Sequence, residues 1–189
     1  MNVLDAWTMC LNTKEKPRCN TSPCRLFAKS IPCLYTMENP ILEDQAYEVF
    51  KEGMVLALET VKPDVKMEDI DLFFFPIVQP KHCYVVCFHM KKQIVEVLDN
   101  IVDQMHFDEK YGEMPYILID MFVDYLSKVG LDNDSNTFFT SNLKRLTMNW
   151  REAKNVHDYG LWSMRHMETY MGQCIKLWDC GVKKEDAKQ

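Results

Sequence analysis

The chain has no apolar run of the roughly 20 residues needed to cross a bilayer. It has no basic leader followed by an apolar stretch, so no secretory signal is read at its start. Asp5 and Glu15 stand early, unlike an arginine-rich, acid-poor transit peptide. Positive charge is not in excess: 22 Lys and Arg against 28 Asp and Glu leave a net charge of -6 at pH 7. That balance argues against a nucleic-acid binder with a broad basic face, and fits a soluble protein or one that meets a basic partner. No internal repeat is visible. Asp132-Asn133-Asp134-Ser135-Asn136 lacks the glycine and terminal glutamate that a calcium loop needs in register, and reads as part of a solvated loop over 131–142.

What is present bounds the class. A chain of 189 residues, 47% hydrophobic and 26% charged, predicts one domain with a sizeable core. The domain is expected over 1–180, with a frayed polar tail over 181–189. The eight cysteines, without a signal, read as free thiols in a reducing compartment. Among Cys10, Cys19, Cys24 and Cys33 only the middle pair has a chelate-like spacing, so no metal is expected, and no cofactor either.

The elements follow from periodicity. Val3, Leu4, Trp7 and Leu11 share one face of a helix over 1–12. Residues 13–40, with Pro17, Pro23, Pro32 and Pro40, read as a long loop. A helix over 41–61 buries Ala46, Val49, Phe50, Met54, Ala57, Leu58 and Val61, and Pro63 stops it. The run 71–78 is a strand buried on both faces, with Pro76 at a bulge or at its end. Residues 82–90 form a central strand, and 93–100 its hairpin partner after a turn at Lys91-Lys92. Residues 101–112 read as a polar connection. A second helix over 113–128 presents Tyr116, Ile117, Ile119, Met121, Phe122, Tyr125 and Leu126, with Gly130 in its C-terminal cap. A strand covers 144–150. A last helix starts near Asp158, a candidate N-cap, and carries Leu161, Met164, Met167 and Met171 at helical spacing.

Three stretches bear on function. The first is Phe75-Pro76-Ile77 followed by His82. The second is Leu98-Asp99 at the end of the hairpin. The third is Asp158-Tyr159-Gly160, running into a helix with Met167, Glu168 and Tyr170. Taken alone, His82 is either a base or a hydrogen-bonded strand histidine, and Asp99 is either its partner or a turn former. His157, Asp158 and His166 read as a cap and exposed histidines rather than as metal ligands.

In this order and at this spacing the three stretches resemble the Ulp1-type cysteine proteases of clan CE, which act on SUMO and other ubiquitin-like proteins, and in particular their plant-type members. The likeness runs from about Val3 to Met171. It implies an α/β (α+β) Ulp1-like fold, a central mixed sheet flanked by helices, that begins part-way into the family domain. It assigns His82 to the general base and Asp99 to the residue that orients it. The nucleophile position then holds Tyr159 instead of cysteine. The glutamine that helps form the oxyanion hole is replaced by Ala153, and the tryptophan that walls the substrate channel by Cys83.

A cysteine protease needs a thiolate, an imidazole to take its proton, a group to hold that imidazole and donors for the oxyanion. A phenol, with a pKa of about 10, is a poor nucleophile near neutral pH. Tyr159 is therefore expected to fill space and hydrogen-bond His82. Cys83, one residue from His82, falls on the opposite face of the strand. The expectation is an inactive pseudoprotease in the nucleus or cytoplasm that binds another protein, a ubiquitin-like protein or a second copy of itself among the candidates. The rival is an active isopeptidase with a displaced nucleophile such as Cys174 or Cys87. It requires a thiol within hydrogen-bond reach of His82.

Overall fold

The computed structural model describes residues 3–15, 22–30, 43–61, 65–79, 82–141, 143–151 and 158–181. The elements are α1 (Val3–Glu15), β1 (Arg25–Phe27), α2 (Glu43–Val61), β2 (Leu72–Gln79), β3 (His82–His89), β4 (Ile94–Leu98), α3 (Phe107–Tyr111), α4 (Met114–Lys128), α5 (Asp132–Phe139), β5 (Leu143–Arg145) and α6 (Tyr159–Thr169). Single 3-10 turns occupy Met67–Asp69 and Ile175–Leu177.

The five strands form one mixed sheet in the order β1-β2-β3-β4-β5. The outer pairs, β1 with β2 and β4 with β5, are parallel. The inner pairs are antiparallel, with Phe75 opposite Val86 and Val86 opposite Val97. Both faces are covered, which is why β2 and β3 are apolar at nearly every position rather than alternating. Phe73, Phe75, Tyr84, Val86, Phe88 and Val97 meet α2, α4 and α5 in one core. Leu72, Phe74, Cys83, Val85, Cys87 and Leu98 meet α1, α6 and the C-terminal segment in the other. The first core centres on Phe75, Phe88 and Phe122, whose ring centroids lie 4.3 to 5.6 Å apart.

Several expectations are corrected. The loop over 13–40 contains a strand, β1. A polar face of α1 holds that strand in place: Asn12 accepts from the Phe27 N–H and donates to its carbonyl, both at 2.9 Å. Asp5 Oδ1 accepts from the Ser30 N–H and hydroxyl. The buried side of α1 is therefore Leu4, Asp5, Thr8, Leu11, Asn12 and Glu15, and Val3 is 72% exposed. Pro76 sits inside β2 in unbroken register opposite Val85. β1 ends opposite Phe74, so this flank needs no proline N–H.

The solvated loop expected over 131–142 contains the helix α5. Phe138 is fully buried against Phe88 and Phe122, and Ser135 donates to the Val123 carbonyl, so tertiary contacts override a polar sequence. Gly130 does terminate α4, at φ 85°, with the Leu131 N–H bonded to the Leu126 carbonyl. Within α4, Leu118 is buried and Tyr116 is exposed. Residues 101–112 hold the short helix α3, and the strand expected over 144–150 is confined to Leu143–Arg145. Residues 182–189 lie outside the described residues, as do Cys19 and Cys33. The six described cysteines are free thiols.

Candidate functional site

β3 opens at His82 and β4 closes one residue before Asp99, so the hairpin sets these side chains together at one end of the sheet. His82 Nε2 lies 3.2 Å from Asp99 Oδ2. In the neutral tautomer that donates Nε2–H to Asp99, Nδ1 carries the lone pair. Nδ1 is buried and has no hydrogen-bond partner.

Asp99 is buried, and its Oδ2 is crowded. The Tyr111 hydroxyl donates to it at 2.7 Å. Lys110 Nζ lies 2.7 Å away and Arg145 Nη2 3.6 Å away. Oδ1 accepts from the Ile101 N–H at 2.9 Å. Burial alone would push this carboxyl up. The hydrogen bond and charge of His82, with the Lys110 and Ile101 bonds, outweigh it and hold the group well below the usual carboxylate range. The Tyr111 phenol is pushed far up, first by burial and then by the Asp99 charge. Asp103 joins the group by pairing with both Lys110 and Arg145. The sequence reading missed Lys110, Tyr111 and Arg145: they come from α3 and β5, and only the fold shows what lies over a strand end.

Tyr159 opens α6 and reaches the same place. Its ring meets that of His82 edge-on, at a centroid distance of 6.3 Å and an interplanar angle of 71°. Tyr84 stacks on His82 at 5.5 Å and Tyr111 lies at 6.4 Å. The space is thus filled by aromatic side chains, but the expected hydrogen bond between Tyr159 and His82 is not formed, because Tyr159 presents a ring to the imidazole. Ala153 and His157 lie outside the described residues. Among the described residues no thiol hydrogen-bonds to His82. Cys83 belongs to the other core, where burial pushes its thiol up to about 11. Cys87 is fully buried there and likewise raised. Cys174 is exposed.

α6 also departs from its expected phase. Its buried side is Trp162, Ser163, His166 and Met167, while Leu161 is 56% exposed. Met171 lies beyond the helix end. Asp158 occupies the cap position without bonding its side chain to the first N–H groups, and its carbonyl accepts from the Trp162 N–H. His166, expected on the surface, is buried. Trp150 donates its indole N–H to His166 Nε2 at 3.3 Å, and Trp162 and Trp178 flank the ring. Burial lowers this imidazole to about 3. The tryptophans were read neither as its shell nor as a cluster, since 150, 162 and 178 share no period.

The end of α6 is fixed by Arg25, which is fully buried. Its Nη1 donates to the carbonyls of Met167, Glu168 and Tyr170 at 2.9 to 3.1 Å, and its Nη2 pairs with Glu15 at 2.6 Å. A guanidinium has the several fixed donors this task requires. β1 and α1 together therefore hold the helix that brings Tyr159 to His82.

No protein-family model matches the sequence, and no curated protein sequence matches it. Solved structures do. The C-terminal Ulp1 protease domain in complex with Smt3, the yeast ortholog of SUMO, is similar with a TM-score of 0.60 and 13% identity, over 98% of this chain and 69% of that one. A de-sumoylating protease gives 0.59 and 12%, over 92% and 62%. The Ulp1-like SUMO protease catalytic domain of Chaetomium thermophilum gives 0.50 and 15%, over 87% and 55%. At this identity the likeness is one of fold: a five-stranded mixed sheet with helices on both faces, arranged as in the Ulp1 proteases.

Proposed function

We propose that this chain is a catalytically inactive protein of the Ulp1-like fold that acts by binding another protein. The observation that carries the reading is the position of Tyr159: a phenol stands at the start of α6 against the His82–Asp99 pair, and no described thiol shares a hydrogen bond with His82. A tyrosine here lacks the low pKa and nucleophilicity that a helix N-terminus gives to a cysteine. The partner favoured is a ubiquitin-like protein, in the nucleus or cytoplasm, since one solved protein of this fold is bound to Smt3. The exposed side chains of Val3, Leu161 and Leu177 are available to such a partner or to a second copy of the chain.

The test is labelling by a SUMO or ubiquitin probe with a thiol-reactive C-terminus. The native protein is expected to remain unlabelled, and Tyr159→Cys to label in a manner that depends on His82. Labelling of the native protein at one cysteine, abolished by His82→Ala, would overturn the reading and make the chain an enzyme with a displaced nucleophile.

A further inference from the structure

The His82–Asp99 pair is not isolated. Asp99 Oδ2 receives His82 Nε2, the Tyr111 hydroxyl and Lys110 Nζ, with Arg145 Nη2 just beyond. Lys110 is nearer to that oxygen than His82 is, 2.7 against 3.2 Å, and its side chain is almost fully buried. Lys110 and Arg145 both also bind Asp103. Two carboxylates thus face two fixed cations beside His82. A histidine beside a lone carboxylate feels a full negative charge that favours its imidazolium form. Here Lys110 shares the carboxylate oxygen that His82 uses.

We propose that Lys110 is a positioning residue that sets the proton affinity of His82 through their shared carboxylate oxygen on Asp99, with Asp103 as its counterweight. Several charged and titratable groups among the described residues face the pair. They are Lys110 and Tyr111 from α3, Asp103 from the segment before it, Arg145 from β5, Arg151 after β5, Tyr84 from β3, and Tyr159 and His166 from α6. Of these, Lys110 alone combines a full charge, burial and direct contact with the oxygen that His82 uses. The inference goes beyond the proposed function and does not depend on it: it holds whether or not the chain cleaves anything.

The sign of the effect is fixed by charge. Removing Lys110 leaves one uncompensated negative charge beside His82 and stabilises the imidazolium form. Removing Asp103 leaves one uncompensated positive charge and does the reverse. The experiment is an NMR titration of the imidazole nitrogens in the full chain, with the His82 signals identified as those lost in His82→Gln. Lys110→Gln is expected to displace the His82 titration to higher pH by about one unit, the order for one charge removed beside a partly buried group. Asp103→Asn is expected to displace it to lower pH, and Lys110→Arg, which keeps the charge, to return it near the native position. A packing role alone would not produce shifts of opposite sign. A Lys110→Gln or Asp103→Asn titration that coincides with the native one, or a shift of both in the same direction, would overturn the proposal. Should Lys110→Gln fail to fold, Asp103→Asn and Lys110→Arg decide it, since Asp103 is partly exposed and Lys110→Arg keeps the cation.

Discussion

His166 Nε2 accepts a hydrogen bond from the Trp150 indole, a role that requires the neutral ring. Protonation would set an Nε2–H against the Trp150 indole N–H and place a charge among three tryptophans. Its folded pKa, lowered by burial to about 3, lies below the ordinary value of 6.5. The unfolded chain therefore binds the extra proton first, and the stabilisation present above pH 6.5 is lost as pH falls toward 3. The expected loss is about 1.4 kcal/mol per pH unit across that window. Urea unfolding at pH 7 and pH 5.5 measures it, and His166→Gln is expected to flatten the slope at the cost of lower stability at pH 7. Asp99 adds a second, more acidic limb of the same sign, since its depressed folded pKa is felt only below about pH 4. The Trp150–His166 bond also ties α6 to the segment after β5, so the histidine that seemed superficial in the sequence joins two parts of the fold.

At the scale of elements, α5 separates the two sources of helical structure. Its sequence, Asp-Asn-Asp-Ser-Asn-Thr-Phe-Phe, has poor helical propensity, and it folds because Phe138 enters the first core. Phe138→Ala is expected to cost about 3–5 kcal/mol, whereas Phe139→Ala, at a side chain 69% exposed, is expected to stay within about 0.5 kcal/mol of native. Denaturant midpoints for the two variants make the comparison. The same contrast explains what could be read in advance. β2, β3 and α4 were legible because long apolar runs and helical spacing report burial directly. The His82–Asp99 pairing was legible through a resemblance in motif order and spacing. β1 was not, because three residues hold no period and what holds it is β2, nearly fifty residues on, together with polar side chains of α1. Nor was the phase of α6, whose buried positions include Ser163 and His166, polar residues that a hydrophobic pattern assigns to water.

At the scale of the whole molecule, the sheet is shared by both cores, and neither face is independent of the other. Loss of β2 or β3 removes one wall from each. Unfolding is therefore expected to be a single cooperative transition. Trp150, Trp162 and Trp178 report on the side of α6, while Tyr84, Tyr111 and Tyr125 report on the side of α4. Tryptophan fluorescence and the tyrosine near-ultraviolet signal are expected to give the same midpoint. Two separated midpoints would mean that the helix bearing Tyr159 detaches before the sheet melts.

The buried guanidinium of Arg25 makes the helix that carries Tyr159 depend on residues more than 140 positions earlier in the chain. During synthesis, β1 and the hairpin of His82 and Asp99 leave the ribosome long before α6 does. Until it arrives, the Arg25 guanidinium lacks the three carbonyls that the end of α6 brings to it. The His82–Asp99 hairpin is thus made first, and Tyr159 joins it only when α6 docks on Arg25.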